Sequence, residues 1–467
     1  MSTSNFGREF LSEIWKFGSK SCLIWRGDVM SFSAFHSYVN KWRMIIERQK
    51  VRSTDPLRIA LFCTNSPDIL AVVVACQLCG TTLVPLNPSY KNYEINEYIS
   101  ASDANFVLVS DDVDLENFEE IEVHLISEML NESIGNEEEL ENEGGATNCG
   151  AIVFFSSGTT GPPKLFEYSQ KILCSQLSQI RAIRANSQFC SFSEEAVCYG
   201  VLPFFHAGGL ITILSLLFSG CTVVINERWN EREFLSNCEK FKVEILFLVP
   251  PVLNFLANHP DVSNYNLSSL RTIYVGAAAS FPDNFAKVSR RFPQLENLIQ
   301  LYGTTECGVL VCSTRKGISS GETVGFPFPS VEIKINPRNN EILVKSSTAT
   351  EDGFMETGDL GWLSFKTKEL MIVGRSKEMM KVRGWQVNPN EIEDVIRKVD
   401  SVVDCAVYQK IPDETLIAKV VGNPDTKFEI MKIVKDKLAS FKQLGDVVFV
   451  AELPRNSSGK LVRRLLH

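Results

Sequence analysis

Short β-branched and apolar runs alternate with helix-patterned segments through the first half of the chain: LRIALFC, DILAVVVACQLCG, TTLVPLNP, YEINEYISASD and ANFVLVS follow one another with little between them. That alternation specifies βαβ units and mainly parallel sheets. It resumes at CTVVI, VEILFLVP and RTIYVGA, so residues 150–310 are expected to form a second α/β layer. From about 321 to 373 the text changes to short strands with turn signals (GETVGF, SVEIKI, NEILVK, ELMIVG), which predicts a small β-rich subdomain. After Gly374 the pattern changes again, and SKEMMKVRGWQVNPNEIEDVIRKV opens a small unit that ends in a polar RNSSGK loop and a basic tail. The expected fold is α/β. A large N-terminal domain, 1–376, comprises layered α/β subdomains and the β-rich subdomain, and a small α+β domain occupies 377–467. The acidic stretch from Glu128 to Glu143 is expected to be a solvated connector.

Composition narrows the function. A chain of 467 residues exceeds one ordinary core, and 44% hydrophobic with 22% charged residues is the balance of a water-soluble globular protein. Lys and Arg total 47 against 56 Asp and Glu, a net charge of -9 that repels phosphate backbones and argues against a nucleic-acid partner. The richest apolar stretch, Val201 to Ile225, is broken by His206, Gly208, Gly209 and Ser219, so no transmembrane segment is expected. Glu9, Glu13 and Arg8 stand where a secretory signal needs an apolar core, and RRLLH is not a Ser-Lys-Leu address, so a cytoplasmic location is expected. The 13 cysteines lack CxxC spacing and sit in apolar runs, which reads as small core residues rather than zinc ligands or a disulfide framework. No sequence feature specifies an oligomeric state.

Ser156 to Lys164 reads SSGTTGPPK directly after the apolar strand AIVFF. Small hydroxylic and glycine residues leaving a sheet expose backbone amides in a phosphate-sized loop. The spacing is not that of a P-loop, and alone the segment also reads as a Gly/Pro turn.

It does not stand alone. FFSSGTTGPPK, LPFFHAGGL, YGTTECG, ETGDLGWL, VGRSKEMMKVRGWQV and LPRNSSGK occur in that order between residues 154 and 460. In sequence and order they resemble the motifs of the acyl-adenylate-forming superfamily, which includes acyl-CoA synthetases, coumarate-CoA ligase, beetle luciferase and peptide-synthetase adenylation domains. The resemblance implies an acid-thiol ligase that uses ATP, Mg²⁺ and CoA to turn a small carboxylic acid into an acyl-AMP and then a thioester. Ser156, Ser157, Gly158, Thr159, Thr160, Gly161 and Lys164 then belong to the ATP phosphate loop, with Thr159, Thr160 and Lys164 meeting the departing pyrophosphate. Tyr302, Gly303 and Thr304 belong to the same nucleotide site, Tyr302 stacking on adenine. Thr305 bonds the α-phosphate, Glu306 is the Mg²⁺ ligand, and Asp359 and Arg375 reach the ribose. Lys460 bonds the acyl carboxylate and the α-phosphate as charge builds there.

By the same resemblance His206 gates the acyl pocket sterically, and Gly208, Gly209, Gly276, Ala277, Ala278, Gly303, Val309 and Leu310 line it. These are small or apolar, and PFFHAGG carries no acid to pair an α-ammonium group, which favours a fatty or aryl acid over an amino acid. The resemblance also implies a mobile small domain that pivots at Lys377, after which Lys381, Gly384, Trp385 and Gln386 face the site for thioester formation. Between Leu343 and Glu356 the chain is shorter than the family pattern. Two other functions compete with CoA ligation: adenylation with a non-CoA second step, and nucleotide binding with weak catalysis.

Overall fold

The computed structural model describes residues 5–118, 121–132, 150–156, 164–189, 193–278, 281–382, 384–410, 413–456 and 459–466. Two largely parallel sheets carry the large domain. The six-stranded one runs His124–Leu125, Phe106–Val109, Arg58–Phe62, Thr82–Leu86, Ala151–Ser156, Lys164–Ser169. The nine-stranded one runs Phe326–Pro327, Cys312–Ser313, Asn297–Tyr302, Thr272–Val275, Ile245–Leu248, Val197–Gly200, Thr222–Ile225, Ser21–Trp25, Asp28–Ser31.

Strand periodicity explains how the layers stack. In Arg58–Phe62, Ile59 and Leu61 enter one hydrophobic cluster while Ala60 and Phe62 enter another. In Ile245–Leu248, Ile245 likewise faces the first cluster and Leu246 and Leu248 face a third. The first cluster is therefore shared by both sheets, with the helices Phe6–Ile14, Phe32–Arg52, Pro67–Cys79, Gln170–Ala185 and Ala207–Phe218 packed into it. Pro67–Cys79 begins on the Ser66 hydroxyl, which accepts from the Asp68 amide, and stops at Gly80 in the left-handed region; it is almost wholly buried. Phe6–Ile14 buries Phe6, Phe10 and Ile14, so the charged N-terminal segment is an amphipathic core helix.

The β-rich subdomain is a four-stranded sheet, Val331–Ile335, Glu341–Ser346, Met355–Leu363, Leu370–Arg375. One expectation needs correction here. GETVGF does not join this sheet: Val324 and Gly325 bond Leu370 at its edge, then Phe326–Pro327 pairs with Cys312–Ser313 and stitches it to the nine-stranded sheet. The acidic stretch also differs from a plain connector at its start, because Ile126 and Met129 are buried in the helix Ile126–Glu132; residues 133–149 lie outside the described residues. The small domain holds the hairpin Met380–Val382 and Trp385–Val387, the sheet Val402–Lys410, Thr415–Gly422, Leu444–Phe449, and the helices Pro389–Ile396 and Lys427–Lys437 around their own core.

No helix among the described residues is long and apolar enough to cross a membrane. Every described cysteine is buried and no disulfide joins any two of them, consistent with their places in apolar runs.

Candidate active site

In open parallel sheets the carboxyl ends of the strands are where loops converge on a ligand. Ala151–Ser156 ends at the phosphate-type loop, Val197–Gly200 leads to His206, Thr272–Val275 leads to Gly276, and Asn297–Tyr302 leads to Gly303–Glu306. Ser157, Gly158, Thr159, Thr160 and Gly161 lie outside the described residues, as does the Ser156 side chain; Lys164, beyond them, is exposed.

The loop after Tyr302 is rigid for identifiable reasons. At Gly303 a Cβ would sit 1.6 Å from the Val309 carbonyl oxygen, so only glycine allows that approach. The Val309 amide donates to the Thr304 carbonyl (2.9 Å), the Cys307 amide to Thr304 Oγ1 (3.1 Å), and the Thr350 amide to the Glu306 carbonyl (3.0 Å). Tyr168 Oη, buried, donates to the Thr305 carbonyl at 2.6 Å. Every one of these bonds leaves the Thr305 and Glu306 side chains unused. Thr304, by contrast, spends its hydroxyl on the turn.

Asp359 and Arg375 face each other across neighbouring strands, which sets the TGD and GRSKE segments side by side. Arg375 Nε lies 3.1 Å from Asp359 Oδ1, and the Tyr302 hydroxyl donates to Asp359 Oδ2 at 2.8 Å. Burial raises the Asp359 pKa above the ordinary aspartate value, with Arg375 and Tyr302 pulling the other way. Burial opposes the charge of Arg375, yet Asp359 and Glu378 hold its pKa above the usual value.

Lys460 reaches this cluster from the small domain. Its loop is closed by Asn456, whose Oδ1 accepts from the Lys460 amide (2.9 Å) and whose amide donates to the Lys460 carbonyl (2.9 Å). Burial and the Arg375 charge lower the lysine pKa, while Glu306, Asp359 and Glu378 work against that fall. His206 stands at the start of Ala207–Phe218 with its ring 4.6 Å from that of Phe205. Burial, with Lys460 nearby, lowers its pKa to about 4, so the ring is neutral at pH 7 and a weak base. Gly209 is close-packed, since a Cβ there would meet the Pro203 carbonyl oxygen at 2.0 Å.

The structure thus brings together Tyr302, Glu306, Asp359, Arg375, Lys460 and His206. Val309 and Leu310 are half-buried against the core beside Gly303, and Ala277 and Ala278 are exposed after Gly276. Lys381, Gly384, Trp385 and Gln386 are not part of this cluster; they are exposed on the small domain's hairpin, where Trp385 stacks on Phe441 with ring centroids 5.0 Å apart. Lys377 is exposed in the turn Ser376–Glu378. Grooves of about 560 and 440 Å³ lie elsewhere, around Arg315 and Thr367 and around Lys171 and Thr350; neither is lined by Asp359, Arg375 or Lys460. Sequence reasoning missed Tyr168, Glu378 and Asn456. Only Asn456 had a local signal, an Asn four residues before the lysine in a Ser/Gly loop.

A layered α/β domain, a four-stranded sheet and a small domain that delivers one lysine to a buried carboxylate and the exposed arginine paired with it together define the architecture of the acyl-adenylate-forming enzymes. The chain belongs to the AMP-binding enzyme family, whose model matches residues 13–348, and the model of that family's C-terminal domain matches residues 391–460. It is 28% identical over 500 residues to 4-coumarate–CoA ligase 3 of Arabidopsis thaliana, covering 95% of this chain and 88% of that protein. In fold it is similar to the O-succinylbenzoate coenzyme A synthetase of Bacillus subtilis solved with ATP and magnesium ion (TM-score 0.83, 22% identity, 98% of this chain and 99% of that one). It is also similar to the amide bond synthetase McbA of Marinactinospora thermotolerans (TM-score 0.79, 21% identity, 98% and 99%).

Proposed function

We propose that this enzyme activates a fatty or aryl carboxylic acid with ATP and transfers the acyl group to the thiol of CoA. The observation that carries the reading is the delivery of Lys460 from the small domain into the electrostatic surroundings of Asp359, Arg375 and Glu306 of the large one. In the first step the substrate carboxylate attacks the α-phosphorus and pyrophosphate leaves. Lys460 holds carboxylate and α-phosphate together as charge concentrates between them. Asp359 accepts from the ribose hydroxyls, oriented by Tyr302 and Arg375, and the Tyr302 ring provides an adenine platform. Thr305 donates to the α-phosphate, and Lys164 with Thr159 and Thr160 meets the leaving pyrophosphate. In the second step the thiol attacks the acyl-AMP carbonyl, AMP leaves, and the thiol proton passes to solvent.

Glu306 suits a magnesium ion. The turn uses its backbone carbonyl and leaves its carboxylate available, and a hard dication prefers such an oxygen donor. When bound, the ion would neutralise charge on the phosphates.

The neutral His206 and the small residues around Gly209, Gly276 and Leu310 support an uncharged acyl pocket. Likeness to 4-coumarate–CoA ligases favours an aryl acid among such substrates. The test is a panel of aryl, fatty and short acids with ATP, Mg²⁺ and CoA, followed by mass detection of thioesters. Thioester formation with one class supports the reading. Release of AMP and pyrophosphate without thioester would favour a non-CoA second step, the reading for which the amide bond synthetase is a structural precedent. ATP binding without pyrophosphate release would overturn both.

A further inference from the structure

Arg397 is a buried cation of the small domain that the reaction described above does not use. It caps the helix Pro389–Ile396. Its Nη2 donates to Asp404 Oδ1 (2.8 Å) and to the Cys405 carbonyl (2.8 Å). Its Nη1 is buried without a hydrogen-bond acceptor among the described residues, 3.9 Å from Glu393 Oε2. The guanidinium carbon lies 3.4 Å from the ring centroid of Phe281, a residue of the large domain. A buried, incompletely hydrogen-bonded guanidinium over an aromatic face is the situation in which cation–π attraction is strongest.

The same carboxylate that holds Arg397 also holds the lysine loop. Asp404 Oδ2 accepts from Arg455 Nη2 at 2.6 Å, and Arg455 Nη1 donates to the Gly459 carbonyl at 2.7 Å, one residue before Lys460. A second contact between the domains lies beside it, Asn254 Nδ2 donating to the Val403 carbonyl at 3.2 Å. An unbroken set of contacts therefore runs from Phe281 through Arg397, Asp404 and Arg455 to the loop that carries Lys460.

We propose that Arg397 is a positioning residue for Lys460: it docks the small domain on Phe281 and, through Asp404 and Arg455, fixes the lysine loop for adenylation. The inference rests on the reading of Lys460 as the group that acts in that half-reaction. The cation–π contact exists only while the domains are arranged as here, so it favours the first step and contributes nothing to a state in which the small domain has moved.

The test separates the half-reactions. Phe281→Leu keeps an apolar side chain and removes the ring face. Its single-turnover pyrophosphate release should fall about five-fold, the scale of one partly buried cation–π contact, while acyl-CoA formation from supplied acyl-AMP is unchanged. Phe281→Tyr, which restores the face, should recover the first step, and Asp404→Asn should weaken it. An unchanged first step in Phe281→Leu, or equal falls in both steps, would overturn the proposal. If the parent releases no pyrophosphate with any acid, the functional reading fails instead. The docking contact is then read without turnover, from the distance between dyes on Val51→Cys and Phe428→Cys, both exposed positions. Phe281→Leu must shift that distribution toward longer distances and Phe281→Tyr must not; identical distributions would overturn the docking role.

Discussion

Lys460 sits where burial and Arg375 work against its charge and three carboxylates, Glu306, Asp359 and Glu378, work for it. The balance lowers its pKa from the ordinary lysine value, and the sign of the consequence is definite. In the proposed role the charged form is the one that binds carboxylate and phosphate, and it is lost as pH rises through the lowered pKa. Pyrophosphate release should therefore show an alkaline limb that begins below the ordinary lysine range of about 10.4, and Lys460→Arg, whose side chain stays charged, should lack that limb. Lys460→Ala should slow pyrophosphate release by about 10²-fold or more with little change in ATP affinity, because the contact matters as charge develops in the transition state. Near-normal release in stopped-flow would remove the residue from this role. Glu306 makes a different prediction. Glu306→Gln keeps the shape and one oxygen donor but loses the charge, so half-maximal activity should require several-fold more Mg²⁺; coincident titrations of mutant and parent would show that the ion is held elsewhere.

At the scale of elements, the turn from Asn297–Tyr302 into Gly303–Glu306 is where backbone geometry and chemistry meet. Gly303→Ala would drive a methyl into the Val309 carbonyl, 1.6 Å from an ideal Cβ, and the turn cannot yield without moving Thr304, Thr305 and Glu306 together. A loss of about 3 kcal/mol in unfolding free energy is expected from such overpacking, measured by urea denaturation, with adenylation falling further than stability alone explains. A mutant with the parent's urea midpoint would show that the loop has slack. The sequence makes the βαβ alternation legible through local periodicity, and this turn only through the resemblance of YGTTECG to a family motif. What it could not announce is which partners the turn would meet. The Tyr302–Asp359 bond joins residues 57 positions apart, and the Tyr168–Thr305 bond spans 137. The strand partners of the GETVGF segment are beyond local signals for the same reason. Val324 and Gly325 bond Leu370 while Phe326–Pro327 pairs with Cys312–Ser313, a choice made by tertiary packing rather than by the segment's own composition.

For the whole molecule, the proposed function requires one site to serve two reactions, with Lys460 in it for the first and a CoA thiol entering for the second. The chain offers a place to turn. Arg375 is tied to Asp359 of the large domain at 3.1 Å, while Glu378 is tied to Arg463 of the small domain at 3.1 Å, and Arg463 is anchored in turn on Glu393 at 2.8 Å. Between these two tethers lie only Ser376 and Lys377, both exposed, so a rotation of the small domain that preserves each tether must be absorbed there. Lys377→Pro would fix φ near about -65°, a value compatible with the present 3₁₀ turn Ser376–Glu378 but not with a large dihedral change. Pyrophosphate release from acid and ATP should therefore survive, whereas acyl-CoA formation from supplied acyl-AMP should fall by at least 10-fold, since Lys381, Trp385 and Gln386 stay on the exposed hairpin instead of turning toward the site. Lys377→Ala, which removes the charge and leaves φ free, should lose neither step. Equal losses of both half-reactions in Lys377→Pro would indicate a folding defect, and full retention of both would move the pivot away from Lys377.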